Sequence, residues 1–240
     1  MPNVSDLKIK IFADGADFEG MKKLYANPLI KGFTTNPTLM RKAGITDYES
    51  FGRQILSEIP DRPISLEVFA DDFDEMEKQA RVIAGWGSNV NVKIPVTNTK
   101  GAFSGDLIRR LSAEGIALNV TAIFTVEQVT QVAEALDPKT PSVVSVFAGR
   151  IADTGVDPEP IMKQALQVLS SQPKAQLLWA SPRELLNIYH ADRCGTHIIT
   201  VTHDLLAKLT NVGYGLEAFS LDTVKMFHND AAASQFSIRC

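Results

Sequence analysis

Eight short runs rich in β-branched and aromatic residues recur along this chain, set apart by segments with helical periodicity. The runs are KIKIFAD (8–14), GFTT (32–35), ISLEVFA (64–70), NVNVKIPV (89–96), IALNVTAIF (116–124), SVVSVFAG (142–149), QLLWAS (176–181) and HIITVT (197–202). Between them lie amphipathic stretches such as DEMEKQARVIAGW, FSGDLIRRLSAEG, TVEQVTQVAEAL, PEPIMKQALQVLSS and PRELLNIYHADRCG. Strand–helix alternation implies parallel strands joined by right-handed crossovers. Eight such units fit a closed (β/α)8 barrel, with an open doubly wound sheet as the alternative. No GxGxxG follows the first run, which weighs against the open sheet. Residues 215–233 read as one further helix, followed by a tail. Pro and Gly are spread evenly and no linker or low-complexity run divides the chain. Residues 1–240 are therefore expected to form one barrel domain, with 215–240 as C-terminal helix and tail.

Composition narrows the function classes. Twenty-four Lys and Arg against 28 Asp and Glu give a net charge of −4, which lacks the basic footprint of a nucleic-acid binder. Two cysteines, Cys194 and Cys240, make neither a disulfide framework nor a zinc site. The histidines (His190, His197, His203, His228) show no HExxH spacing, so no metal is expected. The N-terminus has no apolar signal core and no window of 18 apolar residues exists. A reduced, cytoplasmic setting without membrane association is the default expectation.

The strands carry the chemical signal. Parallel strands covered on both faces should be almost wholly apolar, and these are not. In NVNVKIP, Val90, Val92 and Ile94 share one face, while Asn91, Lys93 and Pro95 share the other. If the first set meets the helices, Lys93 points into the barrel near the C-terminal end of its strand, the catalytic end in barrel enzymes. A lysine desolvated in such a place loses basicity and becomes a nucleophile toward carbonyls. That strand alone also permits a lysine snorkelling from the barrel bottom. The others tip the balance: Ser65, Glu67 and Phe69 alternate against Ile64, Leu66 and Val68, Asn119 and Thr121 against Leu118 and Val120, and Ser145 and Phe147 against Val144 and Val146. Asp14 and Ser181 end their strands. Polar residues of one parity near several strand ends describe a lined cavity. A lysine, two carboxylates, an asparagine and hydroxyls suit a Schiff-base site with groups for proton transfer.

Arg150 in FAGRIAD and Arg183 in WASPRE follow strand ends closely. Arginines there suit a phosphate dianion through paired hydrogen bonds. Ser181 and the start of the helix near Arg183 would add donors. The alternative is that either arginine caps or pairs with a neighbour such as Glu184.

DGADF (14–18), GFTTNPTL (32–39), VKIPVT (92–97), the G-I-x-L-N-x-T run (115–121), SVFAGRIAD (145–153) and ASPR (180–183) together resemble the transaldolase family, which includes fructose-6-phosphate aldolase. The ordered set spans residues 8 to 209, and the C-terminal segment matches only as a helix. The resemblance implies that Lys93 is the Schiff-base lysine. It implies that Asp14 takes the proton from the donor's C4 hydroxyl, and that Glu67 and Thr121 hold a catalytic water and move protons. It puts Asn36, Asn119 and Ser145 around the dihydroxyacetone unit, Arg150, Ser181 and Arg183 at the phosphate, and Phe147 beside the nucleophile. No cofactor is implied. The expected partners are sugar-phosphate substrates and other copies of the chain in a homo-oligomer.

Gly15, Val146, Ala148 and Pro182 depart from the family's usual residues, but they flank the site without removing a chemical group. By resemblance, the aldolases carry glutamine and tyrosine where this chain has Glu67 and Phe147. The expected activity is transfer of a dihydroxyacetone unit from a ketose phosphate, such as fructose 6-phosphate or sedoheptulose 7-phosphate, to an aldose phosphate. An aldolase releasing free dihydroxyacetone is the first alternative. A non-catalytic sugar-phosphate-binding barrel is the second.

Overall fold

A computed structural model describes residues 3–235, 237 and 238. Cys240 and the end of the tail lie outside the described residues. Eight parallel strands, β1 (Lys10–Asp14), β2 (Ile30–Thr34), β3 (Ile64–Glu67), β4 (Val90–Pro95), β5 (Leu118–Ile123), β6 (Ser142–Val146), β7 (Ala175–Trp179) and β8 (Ile198–Thr202), close into a barrel in sequence order. Closure is made by β8 against β1, where Lys10 through Asp14 pair with Ile198 through Thr202. The open doubly wound sheet is thereby excluded.

The strand parity expected from the sequence holds. Leu66, Val92, Ile94, Leu118, Val120, Val144, Val146, Leu177 and Ile199 have no exposed surface and belong to the large core. That core lies between sheet and helices. The opposite parity fills the barrel: Phe12, Val143, Leu178 and Ile198 form a separate apolar cluster with Ala180, against which Phe147 packs. Asp14, Thr34, Glu67, Lys93, Asn119, Thr121, Ser145 and Thr200 line a cavity instead.

Several runs extend past their strands. ISLEVFA pairs only over Ile64–Glu67, and SVVSVFAG stops at Val146, after which Ala148–Ala152 is a helix. Val68 and Ala148 remain buried, so hydrophobicity persists where pairing has ended. GFTT begins two residues earlier, at Ile30. Helices Pro37–Lys42 and Tyr48–Glu58 fill the crossover between β2 and β3. The C-terminal helix, Leu216–Ala233, has no buried residue. Leu216, Phe219, Leu221, Val224, Met226 and Phe227 are all exposed, so it does not cover the chain's own barrel. Among the described residues no helix is long and apolar enough to cross a membrane.

Candidate active site

A cavity of about 520 Å³ opens at the C-terminal ends of the strands. Lys93 is 7% exposed, a costly position for an ammonium group unless it is paired. Two partners compensate. The Glu67 carboxylate on the adjacent strand lies 3.0 Å from Nζ, and Nζ donates to the Thr35 carbonyl at 2.7 Å. The register sets Glu67 beside Lys93 and Lys93 beside Asn119, so neighbouring strands present their inward residues at one level. Lys93 therefore sits inside the barrel, and the alternative of a lysine leaving the barrel bottom is excluded.

Asp14 ends β1 on the same cavity. Thr34 Oγ1 donates to its Oδ1 at 2.8 Å, and Thr34 and Thr200 hydroxyls are hydrogen-bonded to each other. Burial pushes the Asp14 carboxyl above the ordinary aspartate range, outweighing the lowering pull of Lys93 and of the Thr34 hydroxyl. Such a carboxylate is a stronger base than a solvated one.

A second polar chain crosses three strands. Ser145 Oγ donates to Asn119 Oδ1 at 2.6 Å, and Asn119 Nδ2 donates to Ser65 Oγ at 3.0 Å. All three are buried, so the chain fixes their orientation in the wall. Thr121 is buried and lines the cavity beside Ala122. Ala122 has a φ of 61° where the β5–β6 register shifts, a left-handed conformation uncommon for a residue with a side chain. Asn36 also lines the cavity, but its Oδ1 caps the helix Pro37–Lys42 by accepting from Leu39 N–H. Its amide nitrogen makes no bond to the protein among the described residues and can face a ligand.

The rim after β6 and β7 carries the arginines. An ideal Cβ on Gly149 would lie 1.5 Å from the Ser181 carbonyl oxygen, so only glycine allows these two turns to touch. Gly149 N–H also donates to the Ala180 carbonyl. Ser181 is held there with a φ of 59°, and strained backbone of this kind gathers at functional sites. The contact locks Arg150 and Arg183 to one another's turns. The Arg150 guanidinium lies over the Phe147 ring, 5.3 Å from its centroid, and Phe124 packs on Phe147 at 5.8 Å.

Arg183 does pair with a carboxylate, but it is Asp153 rather than Glu184. Arg183 Nε donates to both Asp153 oxygens at 2.9 and 3.0 Å, and Nη2 is bonded to the same group. The donors expected from the chain near Arg183 are also occupied. Arg183 and Glu184 N–H both go to Asn187 Oδ1, and the helix begins only at Leu186.

All eleven residues singled out from the sequence line this one cavity. Thr34, Thr200, Ser65 and Lys42 were not singled out. Thr34 and Thr200 follow the same parity rule within β2 and β8. Ser65 follows it in β3 and was noted there only as part of the alternation. Lys42 lies on the rim and had no signal beyond its charge. Tyr48 was missed too; its hydroxyl donates to the Glu67 carbonyl at 2.9 Å and steadies the end of β3.

Residues 11–238 match the family described as Transaldolase/Fructose-6-phosphate aldolase. The "Probable transaldolase" of Dehalococcoides mccartyi is 37% identical over 202 residues, covering 84% of this chain and 90% of that protein. The "Probable transaldolase 2" of Listeria monocytogenes is 36% identical over 218 residues, covering 89% and 95%. A "Probable transaldolase" of Methanococcus maripaludis is 35% identical over 218 residues, covering 89% and 97%.

Proposed function

The chain belongs to the transaldolase/fructose-6-phosphate aldolase family, and on that footing we propose that it is a Schiff-base transaldolase. The observation that carries this reading is the Lys93 amine, buried at the catalytic end of the barrel and 3.0 Å from Glu67. Attack on a ketone needs the free amine, and Glu67 is the base within reach of its proton. Lys93 adds to the C2 carbonyl of a ketose phosphate. Loss of water, with Glu67 and Thr121 as the proton-handling pair, gives a protonated imine, which withdraws electrons from the C3–C4 bond.

Asp14 then accepts the C4 hydroxyl proton as that bond breaks. Its raised pKa suits it to this role, and Thr34 fixes one of its oxygens. An aldose phosphate leaves, and a three-carbon enamine stays on Lys93. Asn119 and Ser145 hydrogen-bond its hydroxyls. A second aldehyde is attacked by the enamine and protonated by Asp14, and hydrolysis of the new imine frees the product. Arg150, Ser181 and the unengaged side of Arg183 receive the phosphate.

Transfer is favoured over release of free dihydroxyacetone by two residues. Glu67 is an ionisable carrier beside the imine, and Phe147 gives an apolar wall that cannot protonate the enamine carbon. The test is a burst assay with donor alone. About one equivalent of aldose phosphate per site followed by a stall is the transferase result. Sustained turnover without an acceptor overturns it in favour of the aldolase.

A further inference from the structure

His203 is a half-buried titratable group, its Nε2 out of reach of solvent, for which the reaction above has no use. It is the first residue of the helix His203–Ala207, directly after β8. Its partner strand β1 ends at Asp14, which pairs in register with Thr202. The residues that follow the two strands, Gly15 and His203, therefore meet. An ideal Cβ on Gly15 would lie 2.5 Å from the imidazole Nε2, and one on Gly20 would lie 3.0 Å from Nδ1. The ring fills a notch that a side chain at Gly15 would invade and one at Gly20 would crowd. Gly15 is held from its other side by its N–H bond to the Thr34 carbonyl.

The imidazole Nε2 is buried with no hydrogen-bond partner among the described residues. An orphaned polar atom in a notch of this kind is destabilising, and a purely structural filler would be apolar. The charged groups that act on the ring are Asp14 from β1, Asp17 from the turn after it, and Asp204 from its own helix. Asp17 is partly engaged, since it caps the next helix through Gly20 N–H at 2.7 Å.

We infer that His203 is a positioning residue for the cavity's base. By filling the notch over Gly15 it fixes the turn that carries Asp14, and its charge state sets how readily that carboxylate takes a proton. Desolvation holds the imidazole below its ordinary range, so it is neutral near pH 7. Protonation on the acid side adds a positive charge that lowers the Asp14 pKa. The base then weakens but resists protonation. The inference rests on the proposed role of Asp14 for its kinetic consequences, though not for the coupling itself.

The test pairs two substitutions with a measurement independent of turnover. His203→Leu fills the notch with no charge and no orphaned nitrogen. It should match or exceed the wild-type Tm and keep kcat in mildly alkaline buffer, while the acid limb of kcat moves to higher pH. His203→Ala empties the notch and should lower kcat roughly 10- to 100-fold with little change in KM, the scale set by a reacting group misplaced by about an ångström. In proton NMR, the His203 ring resonance, assigned by its loss in His203→Leu, should titrate at lower pH in Asp14→Asn than in wild type. An unchanged titration in Asp14→Asn would refute the coupling, whatever the enzyme's activity proves to be. An unchanged acid limb in His203→Leu, or an unchanged kcat in His203→Ala, would refute the positioning role.

Discussion

Lys93→Met is the most direct perturbation of the proposed mechanism. Methionine has nearly the same volume and no amine, so turnover should disappear while the barrel stays folded. The structure sets the scale of the stability change. Two unit charges 3.0 Å apart attract by about 5–6 kcal/mol at an effective dielectric near 20. Several kcal/mol of ammonium desolvation oppose that gain, and the substitution removes both terms. What remains is a Glu67 side chain without its partner. It is 18% exposed, so water can replace part of what it loses. The net cost should be about 0–2 kcal/mol, and at roughly 2–4 °C per kcal/mol for a chain of this size the Tm should fall by no more than about 8 °C. Glu67→Gln added to Lys93→Met removes the leftover charge and should recover most of that loss. The assay is borohydride reduction in the presence of a ketose phosphate, followed by mass mapping. Wild type should carry a three-carbon adduct on Lys93, and Lys93→Met none. An adduct on another lysine, or residual turnover in Lys93→Met, would refute the assignment.

Arg183→Ala should raise KM for phosphorylated acceptors by about 10- to 150-fold, the effect of losing a charged hydrogen bond worth about 1.5–3 kcal/mol; an equal loss with unphosphorylated aldehydes would mean that the arginine serves only its pair with Asp153. Glu67→Gln combined with Phe147→Tyr should increase release of free dihydroxyacetone and reduce transfer, read by product analysis with and without acceptor. The Asp14 carboxyl has a folded-state pKa above the ordinary 3.8, so its contribution to stability is present below that value and is lost as pH rises through the folded one. Asp14→Asn should therefore abolish turnover yet unfold no more readily than wild type at neutral pH, and a clear loss of Tm there would contradict the sign. The uncovered C-terminal helix leads us to expect a homo-oligomer; deletion of residues 215–240 should lower the mass seen by light scattering, and a full-length chain that is monomeric at all concentrations would refute this.

The barrel was legible because its two chemical alternations coincide. Val92 and Ile94 face the helices while Lys93 faces inward, and a lysine in such a strand has few other places to go. The strand ends were less legible, because Val68 and Ala148 stay buried after pairing stops and read as strand. Within the site, side chains of unusual type for their setting were found, and those of ordinary type were not. Thr34 and Thr200 look like any β-branched strand residues, and the Thr35 carbonyl that receives the Lys93 proton donor has no sequence signature at all. The pairing of Arg183 with Asp153 spans 30 positions and depends on the turn that Gly149 and Ser181 share. The contact of Gly15 with His203 spans 188 positions, and only closure of β8 on β1 creates it.

Charge is divided along the cavity in a way that bears on how a substrate enters. At the inner end, Lys93 stands against Asp14 and Glu67, leaving an excess of one negative charge when both carboxylates are ionised. At the rim, Lys42, Arg150 and Arg183 stand against Asp153, leaving two positive charges. A phosphate dianion is repelled by the first zone and attracted by the second. If the substrate is an extended sugar phosphate, as proposed above, this division directs its phosphate to the rim and its carbonyl end toward Lys93. On the proposed mechanism that is the productive direction, since the imine forms at C2 and the phosphate sits at the far end of the chain. The buried chain of Ser65, Asn119 and Ser145 reinforces the selection, because it offers neutral hydroxyl and amide groups with no cation to meet a charged one. On the proposed mechanism, a ketose phosphorylated on the carbon next to its carbonyl would bring its dianion against Asp14 and Glu67, so the charges assigned to base and proton carrier should also disfavour that class of donor.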